Sequence, residues 1–162
     1  MFGSLRKLSL DNLCFRSPSD VGALLDTCAA LESLSLDGCG FSDPSAVLAI
    51  DAPRSQLKVL HLEGLLAARV HLIQAPRLVG LACSDWASTS CPVTFDPGSA
   101  PSLQEITLDN WADTWQLSFT LSELLENAHH LQNIFLAFGN GKVIDLISNC
   151  GMFLRQLAFG RC

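Results

Sequence analysis

Leucine recurs along this chain in a fixed local pattern. The spacing Leu-x-x-Leu-x-Leu occurs at Leu5-Leu8-Leu10, at Leu31-Leu34-Leu36 and at Leu57-Leu60-Leu62, each copy 26 residues after the last. Looser copies follow at Leu78-Leu81-Cys83, Leu103-Ile106-Leu108, Leu131-Ile134-Leu136 and Leu154-Leu157-Phe159, at spacings of 21, 25, 28 and 23 residues. Within each copy the period of two is that of a short strand with one apolar face. One such unit cannot bury its face alone, whereas stacked copies form a continuous parallel sheet over a shared core. Three residues past the last strand position lies a further inward site, occupied by Leu13, Cys39, Leu65, Trp86, Trp111, Gly139 and Cys162.

The segments between these strands return the chain to the start of the next copy. Residues 18–29 read as a helix with Ser17 as N-cap, Pro18 in the first turn, and Val21, Leu24, Leu25 and Cys28 on one face. A second, shorter helix is expected from Asp43-Pro44, covering Ala46 to Ile50. Thr120 with Glu123 matches a capping box ahead of Leu121, Leu124, Leu125 and Ala128, and Lys142 to Cys150 reads as another helix stopped at Gly151. Two returns do not look helical. The stretch from Val70 to Pro76 alternates and ends in proline, which predicts a strand, and Cys91 to Gly98 predicts an extended segment with a turn.

Composition narrows the class. With 49% hydrophobic and 16% charged residues the chain can bury a core and is not a disordered tail. A net charge of −6 supplies no basic face for nucleic acid. No apolar run approaches the roughly 18–20 residues that span a bilayer, so no membrane role is expected. The first residues lack the apolar core of a signal peptide. Seven cysteines without a CxxC pair, and no Asn-x-Ser/Thr sequon, predict reduced thiols in the cytoplasm or nucleus and no structural zinc.

The strings Leu5-Arg-Lys-Leu-Ser-Leu-Asp-Asn, Leu31-Glu-Ser-Leu-Ser-Leu-Asp-Gly-Cys-Gly-Phe and Ile73-Gln-Ala-Pro-Arg-Leu-Val-Gly-Leu resemble the leucine-rich-repeat (LRR) region of plant F-box/LRR proteins. The resemblance covers essentially residues 5–162. It implies an α/β fold, a curved solenoid of the ribonuclease-inhibitor-like kind, with a parallel sheet on the concave face and mixed helices and short strands on the convex face. One LRR domain over 1–162 is expected, with about six to seven repeats starting near 5, 31, 57, 78, 103, 131 and 154. In that family the inward site after each strand is usually Asn or Cys, and here it is Cys only twice. The family also implies the substrate-binding part of an adaptor of an SCF-type ubiquitin ligase, reaching Skp1 and cullin through an F-box. This chain contains no F-box, since four residues precede Leu5. With the last strand ending near Phe159 as well, the array is expected to be incomplete at both ends. An LRR segment of an intracellular plant immune receptor, or a degenerate fragment without a partner, are the alternative readings.

Residues between the inward leucines face the opposite side of the sheet and form columns across it. Asp11, Asp37 and Glu63 fall in one column as a ladder of like charge suited to a protein target with a basic segment. Asp109 follows in the same column, His61 precedes Glu63 on its strand, and Glu105 lies two residues further back in its own copy. These six residues are the candidate protein contacts. An acidic residue after a strand can equally serve the turn by accepting backbone N–H bonds. Trp86 and Trp111 fit the core, whereas Trp115 is off the inward position and is a candidate surface anchor.

Catalytic chemistry finds no foothold. Gly139-Asn-Gly141-Lys142 lacks both the earlier glycine and the following Ser/Thr of a phosphate loop. His129-His130 lacks further ligands at metal spacing, and no Gly-x-Ser-x-Gly elbow exists. The expectation is a binding protein without catalytic residues, cofactor or metal.

Overall fold

A computed structural model describes residues 4–86, 92–110, 124–138 and 156–159. In chain order these form β1 (Lys7–Asp11), β2 (Cys14–Phe15), α1 (Ser19–Thr27), β3 (Ser33–Asp37), β4 (Gly40–Phe41), β5 (Val47–Asp51), β6 (Val59–Glu63), β7 (Arg69–Gln74), β8 (Gly80–Ser84), β9 (Val93–Phe95), β10 (Glu105–Asn110), β11 (Asn133–Phe138) and β12 (Gln156–Phe159). The fold is a parallel β-solenoid. A seven-stranded sheet in the order β1-β3-β6-β8-β10-β11-β12 takes one strand from each leucine copy. Behind it lie a three-stranded sheet β5-β7-β9 and the pair β2-β4.

The leucine pattern is the reason for this arrangement. Across the front sheet Leu8, Leu34, Leu60, Leu81, Ile106 and Ile134 stand in register, as do Leu10, Leu36, Leu62, Cys83, Leu108 and Leu136. From Leu34 and Leu36 onward these side chains are buried, with Leu5, Leu8 and Leu10 of the outermost strand only partly covered. Each full burial of such a side chain contributes about 2 kcal/mol, and the rows run through the whole stack. The leucine ahead of each strand completes the core: Leu31, Leu57, Leu78, Leu103 and Leu131 are buried too.

Two recurring turns place each strand. On entry, the amides of Leu31, Leu78, Leu103 and Leu131 donate to the carbonyls of Cys28, Ala75, Ala100 and Ala128, three residues back. Pro76 and Pro101 occupy the second position of two of these turns, where a fixed φ suits them. On exit, Asn12, Gly38, Gly64 and Asp85 all adopt left-handed backbone, with φ of 53°, 55°, 56° and 49°. Their amides donate in turn to the carbonyls of Asp37, Glu63, Ser84 and Asp109 on the next coil, at 2.8–2.9 Å. The corner of each coil is therefore bonded to its neighbour, as the strands are.

The back of the stack corrects two expectations. Of residues 46–50, expected to be helical, Val47 to Ile50 belong to β5 instead, with Leu48 and Ile50 buried and Val47 and Asp51 exposed. The Asp43 carboxylate accepts from both the amide (2.9 Å) and hydroxyl (2.7 Å) of Ser45, which makes a side-chain turn rather than a helix cap. The alternation then pairs with β7 in parallel, where a helix would have found no ladder. Leu13 was assigned an inward site, yet it is 44% exposed, because it lies on the outermost coil; Cys39, Leu65 and Trp86 at the same position are buried.

Elsewhere the returns follow the sequence. Helix α1 lies against β5 and buries Val21 and Leu25. Its N-cap is Pro18, without a side-chain cap bond, rather than the expected Ser17, which braces the turn ahead of it: the Ser17 hydroxyl accepts from the Ser19 amide (3.3 Å), and the Ser17 amide donates to the Asp20 carboxylate (3.0 Å). The strand expected over 70–76 is β7, Arg69–Gln74, and the segment expected to be extended contains β9, Val93–Phe95, followed by a turn with Gly98 at φ 72°. Leu124 and Leu125 are helical and buried, while Thr120 and Glu123 of the expected capping box, and the expected helix over 142–150, lie outside the described residues. The described residues are mostly strand on the back as well as on the front.

Candidate protein-binding surface

The strand pleat that buries the leucines turns the intervening side chains to the outer face of the front sheet. They stand there in three rows. The first runs Lys7, Ser33, Val59, Gly80, Glu105, Asn133; the second Ser9, Ser35, His61, Ala82, Thr107, Phe135; the third Asp11, Asp37, Glu63, Ser84, Asp109, Ala137. Much of this face is small or polar, with Val59 and Phe135 its large exposed apolar members.

The candidate contacts do not form one cluster. Asp11, Asp37 and Glu63 are consecutive in the third row, on strands about 4.8 Å apart, and all three are exposed. Ser84 separates them from Asp109, which is half-buried. His61 stands beside them in the second row, half-buried on the same strand as Glu63. Glu105 is exposed at the far end of β10 in the first row, away from the acidic run. Trp111 and Trp115, together with Gly139-Asn-Gly141-Lys142, lie outside the described residues.

The chemistry of the run distinguishes its two readings. The Asp11 carboxylate accepts from the side-chain amide of the next residue, Asn12, at 2.7 Å. The carboxylates of Asp37 and Glu63 make no hydrogen bond or ion pair with the described residues. The turn after each strand is held instead by backbone bonds and by left-handed glycine or asparagine. Three like charges at strand spacing repel one another and hold a negative potential over this edge.

The opposite edge of the same strands went unnoticed in the sequence. Arg6, Glu32 and Lys58 directly precede β1, β3 and β6 and form a row of alternating sign. Glu32 accepts from Arg6 Nη1 at 3.1 Å and from Lys58 Nζ at 2.8 Å. The Lys58 ammonium, first by hydrogen bond and then by charge, and Arg6 after it, hold the Glu32 carboxyl below its ordinary value. The signal was available as opposite charges 26 residues apart, the repeat length itself.

The left-handed row was legible in the same way, as Asn, Gly, Gly and Asp one place after successive strands. On the back, His71 of β7 meets the Asp96 carboxylate at 2.8 Å, a contact that no motif signalled. Among the described residues no group of three His, Cys, Asp or Glu side chains is placed to hold a metal ion. Cys28 and Cys39 are buried, the latter with its thiol 3.5 Å from the Leu10 carbonyl, and Cys14 is exposed. Among the described residues no helix is long and apolar enough to cross a membrane.

Comparison with protein-family models, with curated proteins and with solved structures finds no match to this chain.

Proposed function

We propose that this chain is a protein-recognition module of the leucine-rich-repeat type, acting as the target-binding part of an adaptor like those of SCF ubiquitin ligases. The outer face of the front sheet is its contact surface. The repeat spelled by Leu5 to Leu62, with one parallel strand per copy, supports the leucine-rich reading. The observation that carries the binding role is the pair Asp37 and Glu63: adjacent in register, exposed, and without a hydrogen bond or ion pair among the described residues. A charge that no internal contact consumes is available to a partner, and the complement here is a basic segment of a protein.

In this reading the module binds and does not catalyse. Skp1 and cullin join through an F-box outside this sequence, ubiquitin transfer needs those other components, and the setting is the cytoplasm or nucleus. The test is co-immunoprecipitation from the native source, with mass spectrometry of what is captured, run in parallel on the wild-type chain and on D37K/E63K. Recovery of Skp1 and cullin, with further proteins that the double variant loses, is the expected result. Absence of Skp1 and cullin overturns the adaptor role. Equal capture of every partner by the double variant removes the acidic pair as a contact.

A further inference from the structure

We propose that the cleft between α1 and the turn from Ala52 to Ser55 binds a free aliphatic α-amino acid, its ammonium at Asp26 and its carboxylate at Arg54. Leu25, Asp26, Ala29, Arg54 and Ser55 line the cleft around a volume of about 420 Å³. Small-molecule sites span roughly 300–1,000 Å³.

The cleft has a cause in the fold. The return of the first coil carries a helix and that of the second a strand, so α1 lies against β5 with no ladder between them. A helix and a strand differ in girth, and the space between them opens where α1 ends. The wall opposite is also longer than its counterpart one coil on. After Ala52 the inward leucine comes at Leu57, whereas after Ala75 it comes two residues sooner, at Leu78. Ser55 is buried in the extra length, and its hydroxyl accepts from the Leu57 amide at 3.1 Å. The hydroxyl proton is left to donate to a carboxylate beside Arg54.

The charges on the two walls are opposite. Asp26 stands in the last turn of α1, where no basic residue accompanies it. A carboxylate there adds to the negative end of the helix dipole, which costs the helix and favours a cation at that spot. Arg54 is the third residue of a turn that the Ser55 amide closes onto the Ala52 carbonyl (3.1 Å), with Pro53 second. Arg77 has the same place in the turn from Ala75 to Leu78, and there its Nη1 donates to Gln56 Oε1 at 2.5 Å. Arg54 has no such use. Neither its guanidinium nor the Asp26 carboxylate makes a hydrogen bond or ion pair with the described residues, and both side chains are exposed.

Opposite charges that face one cleft without meeting suit a molecule that carries both signs. The planar guanidinium fork fits a carboxylate, the helix end with Asp26 fits an ammonium, and Leu25 and Ala29 leave an apolar lining for a short aliphatic side chain.

The experiment is an NMR titration of the full chain with free leucine, following backbone amide shifts. Saturable shifts are expected at Asp26, Ala29, Arg54 and Ser55, with a dissociation constant of about 1 mM, since both charged contacts are exposed. N-acetyl-leucine, which lacks the ammonium, and leucinamide, which lacks the carboxylate, should each bind about fivefold more weakly. Asp26→Asn should weaken leucine but leave N-acetyl-leucine unchanged, and Arg54→Gln should weaken leucine but leave leucinamide unchanged. Amide positions away from the cleft verify that both variants keep the fold. No saturable shift by roughly 20 mM leucine, shifts centred elsewhere, or equal binding of either analogue would overturn the proposal.

Discussion

The two ends of the first three front strands are built on one repeat and one spacing, yet they treat charge in opposite ways. Where the strands begin, Arg6, Glu32 and Lys58 alternate in sign and satisfy one another across the coils. Where they end, Asp11, Asp37 and Glu63 share one sign, and the last two have no counterion among the described residues. A repeat scaffold tolerates either choice because the leucine rows and backbone ladders carry its stability. The difference separates charge that serves the stack from charge that no contact among the described residues uses.

That comparison can be broken most severely at the turn beside the acidic end. Gly38 has φ 55°, and a Cβ there would lie 2.7 Å from Asn12 Oδ1. Gly38→Val should therefore destabilise the chain by about 2–3 kcal/mol in urea unfolding. If the neighbouring acid served the same turn, Asp37→Asn would lower the unfolding midpoint comparably; a midpoint close to wild type is expected. Next in size is the binding loss of D37K/E63K, which should come with an unchanged or slightly raised melting temperature, since like-charge repulsion is relieved. A melting point that falls with binding would make the acidic run structural.

The smallest effect belongs to the other end. Because the folded chain holds the Glu32 carboxyl below its ordinary value near 4.5, the stabilisation is fully present above that pH and is lost as acid carries the solution down through the lowered value. Wild type should melt slightly above Glu32→Gln at neutral pH, with the gap closing on acidification and in high salt. A gap that persisted in acid would mean that Glu32 acts through packing rather than charge.

How far the sequence foretold this molecule depended on the range of the signal. The leucine period placed all seven front strands and the three outer rows in their register, because a two-residue alternation under a repeat leaves no other way to bury Leu34, Leu60 and Leu81 together. Residues 46–50 were misread because Asp43-Pro44 before an apolar run suits a helix start locally, whereas pairing with Arg69 to Gln74 decides the matter from a distance. The alternating row Arg6-Glu32-Lys58 was missed for a related reason: its partners are neighbours only once the repeats are stacked. The Asp and Glu candidates could be placed in columns, but whether a turn consumed their oxygens needed the backbone, which gives that work to Asn12, Gly38 and Gly64.

The strand-built back of the middle coils sets the shape offered to a partner. Strands β5, β7 and β9 repeat at the same ~4.8 Å as the front strands, whereas a helix is about 10 Å across. A helix at the rear acts as a wedge and bends the stack around its front; strands on both sides advance the coils without a wedge. Beyond α1 the strands of the front and of the back therefore advance in equal steps, with no helix beside β5, β7 and β9 to splay the rear. An extended segment laid across the strands would meet the outer rows at that even step, one coil after another.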